Sequence, residues 1–231
     1  MSRVPLLLAV AQPECVPYDV AANASAHADL VRRAGARVVV FPELSLTGYE
    51  LDAPPLAADD PRLGPLVEAC ADTGSVALAG APVAGPHIGM LAVDGTGARV
   101  AYRKMWLGGV EPDRFAPGAG PAVLDVDGWR LGLAICKDTG VPRHAADTAA
   151  LGIDAYVAGI LESAPDMPVQ EERAQRVVTD HGVWLALASF AGSTGGGFAD
   201  AGGRSSIRDP AGVVVARAGT GTGEVVTATL T

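Results

Sequence analysis

"VVVFPELSLTGYE", residues 38–50, is the stretch on which the fold turns. Three valines and Phe41 make a short β-branched and aromatic run of the kind that fills a buried strand. Pro42 cannot continue a central strand, so the run ends there and Glu43 follows at its tip. A carboxylate at that point is either a solvated turn residue or a group that the strand holds in a pocket. The residues around it decide between the two.

Outward from this stretch, residues 6–11 read as a strand, and the Ala-rich segment 20–34 as a helix stopped by Gly35. Strand, helix, strand at this spacing predicts a crossover unit in an α/β protein. Segments 75–80, 88–93 and 98–103 read as consecutive strands, with "DGTG" (94–97) turning the chain between the last two. "AVLDV" (122–126) and "WRLGLAIC" (129–136) flank a turn at Asp127-Gly128. A helix is expected after Pro142, a strand at 154–159, a polar helix over about 169–180 and a core strand at 183–190. "SSIRDPAGVVVARA" (205–218) reads as a hairpin around 209–212, and 224–230 as the last strand. Hairpins mixed with strand–helix units, twice over, predict two sheets packed face to face with helices outside.

Bulk properties narrow the class. With 231 residues, 49% hydrophobic and 19% charged, the chain can bury a substantial core, and it is read as one domain over 1–231. A net charge of −9 argues against a nucleic-acid partner, which needs a basic footprint. Cys15, Cys70 and Cys136 are an odd number without a C-x-x-C pair, which favours a reducing compartment, and a cytoplasmic location is expected. "MSRVPLLLAVAQPE" (1–14) imitates a signal peptide, but its apolar part is short and interrupted by Pro5, so a first core strand is the better reading. No segment approaches the ~20 apolar residues of a membrane span. The Gly-rich "GSTGGGFADAGG" (192–203) reads first as a mobile surface loop and second as a lid beside a pocket.

Three predicted strands end in residues that can carry chemistry: Glu43, Lys104 in "ARVAYRKMWLGG" (98–109) and Cys136 in "LGLAICKDTG" (131–140). Taken singly, each has an ordinary reading, a solvated turn residue or, for Cys136, a small buried hydrophobe. Taken together they supply what a thiol nucleophile needs. Glu43 can take the proton, and Lys104 can stabilise a developing oxyanion and favour the thiolate. Such chemistry does not require histidine, and His27, His87, His144 and His181 are scattered. A papain-like pairing of Cys136 with His144 is the competing arrangement.

"FPELSLTGY" (41–49), "YRKMWL" (102–107) and "ICKDTGVP" (135–142), in that order, resemble the three signature segments of the nitrilase (carbon–nitrogen hydrolase) superfamily, in its amidase-like branch. "AQ" after the first strand and the late "GRSSIRDPAGVVVA" extend the resemblance over essentially the whole chain. It implies an α/β fold, an α-β-β-α four-layer sandwich of two mixed β-sheets flanked by helices. It implies Glu43 as general base, Lys104 as support for the tetrahedral intermediate, Cys136 as nucleophile and the Lys137 backbone N–H as a second oxyanion donor. Glu111, in "GGVEPDRFAPG" (108–118), falls where the family carries a further positioning glutamate. The expected reaction is hydrolysis of a small-molecule amide or carbamoyl compound through a Cys thioester, with no metal or organic cofactor, in a homodimer or higher homo-oligomer. Nitrile hydrolysis by the same triad is one alternative, although nitrilases follow the cysteine with Trp-Glu and this chain has "CKD". A non-catalytic ligand-binding protein on a decayed hydrolase scaffold is another. Its motive is Trp106, which stands where the family has histidine and puts the surrounding hydrogen bonds in question. "RAQRVVTDHG" (173–182) keeps Arg173 and Ala174 of a further family pattern but not its Glu-Asn pair. Relatives that handle carboxylates carry an arginine just after the cysteine; here Lys137 stands there and Arg143 comes seven residues after Cys136.

Overall fold

A computed structural model gives the structure of residues 3–231; of the signal-like start, Met1 and Ser2 lie outside the described residues. The chain runs β1 (Leu6–Gln12), α1 (Val20–Ala34), β2 (Val38–Val40), α2 (Gly64–Thr73), β3 (Val76–Val83), β4 (His87–Asp94) and β5 (Gly97–Arg103). It continues with β6 (Ala122–Val126), β7 (Trp129–Ile135), α3 (Pro142–Ala149), β8 (Ala155–Ile160), α4 (Met167–His181) and β9 (Trp184–Ser189). A small ribbon of β10 (Ala191–Gly192) and β11 (Ala201–Gly202) precedes β12 (Ser206–Arg208), β13 (Val214–Arg217) and β14 (Glu224–Leu230).

Two six-stranded mixed sheets result, ordered β14-β1-β2-β3-β4-β5 and β13-β12-β9-β8-β7-β6. Strand alternation builds the layers, because successive side chains point to opposite faces. Leu8, Val10, Val38, Val40 and Leu78 face Leu131, Leu133, Val157 and Ile207 across the space between the sheets. Their neighbours Ala9, Ala11, Val39, Ala77 and Ala79 face the other way, against α1 and α2. On the second sheet Ala134, Tyr156, Ala158 and Leu187 pack against α3 and α4. The small residues on the helix-facing side of β1 and β3 let α1 and α2 lie close to the sheet. This is the four-layer sandwich expected, with helices on both outer faces.

Local signals set several boundaries. Asp19 accepts the Ala22 N–H at 3.0 Å and caps α1, and Gly35 closes it in left-handed backbone at φ 54°. Asp127 (φ 51°) and Gly128 (φ 83°) both take positive φ, the two-residue turn that joins β6 to β7. Three differences from expectation stand out. β2 is only three residues long, so Phe41 lies beyond the ladder. α2 had not been read as a helix: its "GPLVEACADT" opens with Gly and Pro, which disguise an apolar stripe of Leu66, Ala69 and Cys70. The Gly-rich segment is not a free loop, since Ala191 and Gly192 pair with Gly202 and Ala201 at its base. Residues 6–12, the core of the signal-like start, form β1, parallel to β2 and antiparallel to β14.

Candidate active site

Glu43 is placed by the close approach of both sheets. Gly80 in β3 and Gly159 in β8 sit on either side of the Phe41–Leu44 backbone. A Cβ at Gly80 would lie 2.2 Å from Leu44 N and 2.5 Å from Pro42 O. One at Gly159 would lie 2.5 Å from Phe41 O and 2.9 Å from Glu43 N. Only glycine admits the turn that carries the carboxylate, and Gly159 pairs with Ile135, the residue before Cys136. We expect Gly159→Ala to lower kcat at least about tenfold, since small displacements of a reacting group are costly in rate. Overpacking should cost about 1–3 kcal/mol of stability. Steady-state kinetics and thermal melting on one preparation check both; wild-type kcat in that variant would show that the close approach does not set the Glu43 position.

Lys104 follows directly on β5, with its backbone N–H bonded to Ile88 O at 2.8 Å and its side chain 1% exposed. Its Nζ donates to Glu43 Oε1 at 2.6 Å and to Glu111 Oε1 at 2.7 Å. Glu111 is fixed in turn by the Gly108 N–H on its other oxygen at 2.7 Å. An ammonium has three N–H groups, so one remains for a bound oxygen. Glu43 Oε2, by contrast, is buried without a hydrogen-bond partner.

Cys136 directly follows β7 and opens a 3-10 helix, Cys136–Gly140, at φ 43°. A non-glycine residue in this left-handed region is strained by about 1–3 kcal/mol and is held there by its surroundings. The thiol donates to Leu161 O at 3.3 Å and lies against the Glu43 carboxylate closely enough to lower that group's pKa. The Lys137 N–H belongs to the first turn of the 3-10 helix, where amides lack partners within the helix.

Lys104, Glu111, Cys136 and Lys137 line a cavity of about 400 Å³. Tyr49, Leu51, Val110, Leu161 and Phe198 supply its apolar wall. Lys137, Glu162 and Arg173 supply charge, with Arg173 Nη1 3.3 Å from Glu162 Oε2. The Gly-rich segment reaches it too. Gly195 N–H bonds Gly48 O at 2.9 Å, and the Phe198 ring meets Tyr49 edge-on at 5.5 Å.

The electrostatics follow from two carboxylates sharing one cation in a dry site. Burial, opposed by Lys104, pushes Glu43 up to about 7. Burial works to lower the Lys104 pKa, but the charge of Glu43, with Cys136 and Glu111 behind it, holds it above the ordinary value. The sequence reading had Lys104 favouring a thiolate; burial and then the charge of Glu43 outweigh it and push the Cys136 thiol up. Burial thus disfavours ionisation of both the Cys136 thiol and the Glu43 carboxyl.

Glu43, Lys104, Glu111, Cys136 and Lys137 are thus brought together from five positions between 43 and 137. His144 is not a partner of Cys136, because its two ring nitrogens are engaged by Tyr102 and Tyr156 at 2.9 and 2.8 Å. Arg143 is exposed and paired with Asp147 at 3.3 Å on α3, away from the cavity. At Trp106, where the family has histidine, the backbone N–H donates to Asp138 Oδ1 at 2.9 Å, a bond that does not depend on the side chain. Sequence reading passed over Tyr49, Glu162 and Phe198. Tyr49 lies within the quoted "FPELSLTGY" and Phe198 within the Gly-rich "GSTGGGFADAGG", whose second reading is a lid beside a pocket, but Glu162 carries no local signal. Among the described residues no cluster of three or more His, Cys, Asp or Glu could hold a metal ion, and no helix is long and apolar enough to cross a membrane.

Two layers of helix around paired sheets, with this site where the strands end, have the fold of nitrilase-superfamily enzymes. The chain belongs to the carbon–nitrogen hydrolase family, whose model matches residues 7–231. It is 27% identical over 189 residues to the "hydrolase in pqqF 5'region" of Pseudomonas protegens, a match covering 76% of this chain and 66% of that protein. The chain thus spans just under two-thirds of that relative's length. An amidase from Nesterenkonia sp. superposes with a TM-score of 0.87 at 23% identity, covering 100% of this chain and 92% of that one. Saccharomyces cerevisiae Nit3, a member of branch 10 of the nitrilase superfamily, gives 0.85 at 22% identity, covering 100% and 91%. A mutant of the Nesterenkonia amidase has been solved in complex with butyramide, and that structure gives 0.86 at 24% identity over 97% of this chain and 90% of that one. These likenesses to solved structures bear on the fold. Membership of the family rests on the match of its model.

Proposed function

We propose that this carbon–nitrogen hydrolase cleaves a small amide or carbamoyl compound through a thioester on Cys136. The observation that carries the reading is the meeting of three sequence-distant groups: Lys104 bonds the buried Glu43, and Lys104 and Cys136 line one cavity. Lys104 lies 2.6 Å from Glu43, and Cys136 lies against Glu43. Glu43 Oε2, the unpartnered oxygen, takes the Cys136 proton as the sulfur attacks the amide carbon. The carbonyl oxygen becomes an oxyanion that accepts from the free N–H of Lys104 and from the Lys137 backbone. Glu43 returns the proton to the departing nitrogen, the C–N bond breaks, and ammonia or an amine leaves. Water, giving its proton to Glu43, attacks the thioester; the carboxylic acid leaves and the thiol regains its proton. Amide and water are consumed, and acid and amine are released. Glu111 holds Lys104 in place throughout. The Nesterenkonia amidase and its butyramide complex support an amide as the substrate class. The same reading takes the protein as a cytoplasmic homo-oligomer that needs no metal or organic cofactor.

Ammonia release from paired amides and nitriles sharing one side chain tests the assignment. A nitrile passes through a thioimidate whose nitrogen must be protonated, whereas this site presents donors to an oxygen. We expect the nitrile to be at least about a hundredfold slower, roughly 2.7 kcal/mol in barrier. Comparable rates would replace the amidase reading with a nitrilase one. No turnover of either series in a broad screen would favour the binding-protein alternative.

A further inference from the structure

Asp138, two residues past Cys136, is fully buried and accepts three hydrogen bonds. Its Oδ2 takes the Tyr102 O–H at 2.8 Å and the Ile135 N–H at 2.9 Å. Its Oδ1 takes the Trp106 N–H at 2.9 Å. Ile135 ends β7 in one sheet, whereas Tyr102 stands in β5 of the other and Trp106 just beyond it. One carboxylate therefore ties the strand end that carries Cys136 to the residues on both sides of Lys104.

The network extends behind Tyr102. Tyr102 commits its proton to Asp138, so its oxygen accepts from His144 Nε2 at 2.9 Å. His144 Nδ1 is then the acceptor for the Tyr156 O–H at 2.8 Å. Burial holds the His144 pKa down, in keeping with a neutral ring that donates once and accepts once. Tyr102, Asp138, His144 and Tyr156 are all at most 2% exposed, and every polar side-chain atom among them is bonded. Burying a carboxylate and three polar rings is no cheaper than filling the same space with hydrocarbon. What hydrocarbon could not do is fix directions.

We propose that Asp138, oriented by the Tyr156–His144–Tyr102 chain, is a positioning residue that holds the Cys136 turn in register with the Lys104 segment across the two sheets. The proposal rests on the catalytic reading of Cys136, Lys104 and Glu43 given above. Cys136 needs such support because its φ of 43° is strained, and Asp138 bonds the amide immediately before it. Lys104 needs it because its Nζ must meet both Glu43 and an oxygen on the carbon that Cys136 attacks. Fixing Tyr102 and Trp106 restrains the three residues between them, with Lys104 at the centre. The bond at Trp106 is made by the backbone, so the network works without the histidine the family places there.

Tyr102→Phe removes one hydroxyl and keeps the ring, and Asp138→Asn keeps the shape but removes the charge and turns an NH2 onto at least one of the three donors. On the best amide found, kcat is expected to fall at least about tenfold for Tyr102→Phe and about a hundredfold for Asp138→Asn, with KM within about threefold of wild type. The double variant should be no slower than Asp138→Asn alone, since the hydroxyl acts through the carboxylate. Without substrate, the iodoacetamide labelling rate of Cys136, followed by peptide mapping, should change at least about threefold in Tyr102→Phe while labelling of Cys70 does not. Wild-type kcat and labelling in Tyr102→Phe, losses that multiply in the double variant, or a loss carried by KM alone would each overturn the proposal. Should Asp138→Asn fail to fold, Tyr102→Phe decides by itself. Amide turnover that survives Cys136→Ala sinks the catalytic reading instead, and the labelling rates then judge the network without it.

Discussion

Replacing Glu43 with Gln is expected to lower kcat for amide hydrolysis by about 10³–10⁴-fold, in the upper half of what a single general base contributes. Gln keeps the shape and still offers Lys104 an acceptor oxygen, but it has no basic oxygen to receive the Cys136 proton. The fold should survive, because Lys104 is left in a one-to-one pair with Glu111 at 2.7 Å. The sign of the stability change follows from burial. Glu43 is raised from 4.5 to about 7, so the folded state prefers its protonated form, and the stability this contributes is lost as pH rises from about 4.5 through about 7. Glu43→Gln should therefore melt at or above the wild-type temperature at pH 8, and gain nothing at pH 4. In the wild type, kcat/KM should climb with pH through about 7 as Glu43 becomes available as a base. Near-normal kcat in the variant would mean that another residue is the base.

Lys104→Met is expected to cost about 3–5 kcal/mol of stability at pH 8 and to abolish turnover, because it breaks a buried ion pair from the cationic side. Glu43 and Glu111 are 1% and 5% exposed, and both lean on the same Nζ. Without it, two carboxylates face each other in a cavity of low dielectric, and the opposing charge that holds Glu43 down is gone. The penalty should shrink in acid, where carboxylates are neutral, so urea unfolding at pH 8 and pH 4 separates this cause from simple loss of packing. Equal losses at both pH values would refute it. Met is close to Lys in length and apolar, so a void is not the competing explanation.

The sequence by itself carried the elements whose physics is local. α1 was legible from its apolar face and from Gly35, where helix capping needs left-handed backbone. The β6–β7 turn was legible from Asp127-Gly128, since few other pairs accept two positive φ values. α2 was not, because Gly64 and Pro65 at its start outweighed a stripe that only packing on α1 makes decisive. At the site, residue types and strand ends nominated Glu43, Lys104 and Cys136, and the resemblance of their segments supplied roles. The sequence could not say that Gly80 and Gly159 admit the Glu43 turn, for that depends on two strands from different sheets meeting one backbone. Nor could it give the protonation of Cys136. A lysine nearby argues for thiolate, but the outcome depends on how much water the fold removes and how close the Glu43 charge lies. His144 shows the same limit: its place in the chain is unremarkable, and only the packing of α3 against β8, with β5 reaching across, sets it between two tyrosines. Identity and local pattern decide which residues are available for chemistry. Desolvation and distance, which exist only once the sheets have packed, decide what those residues do.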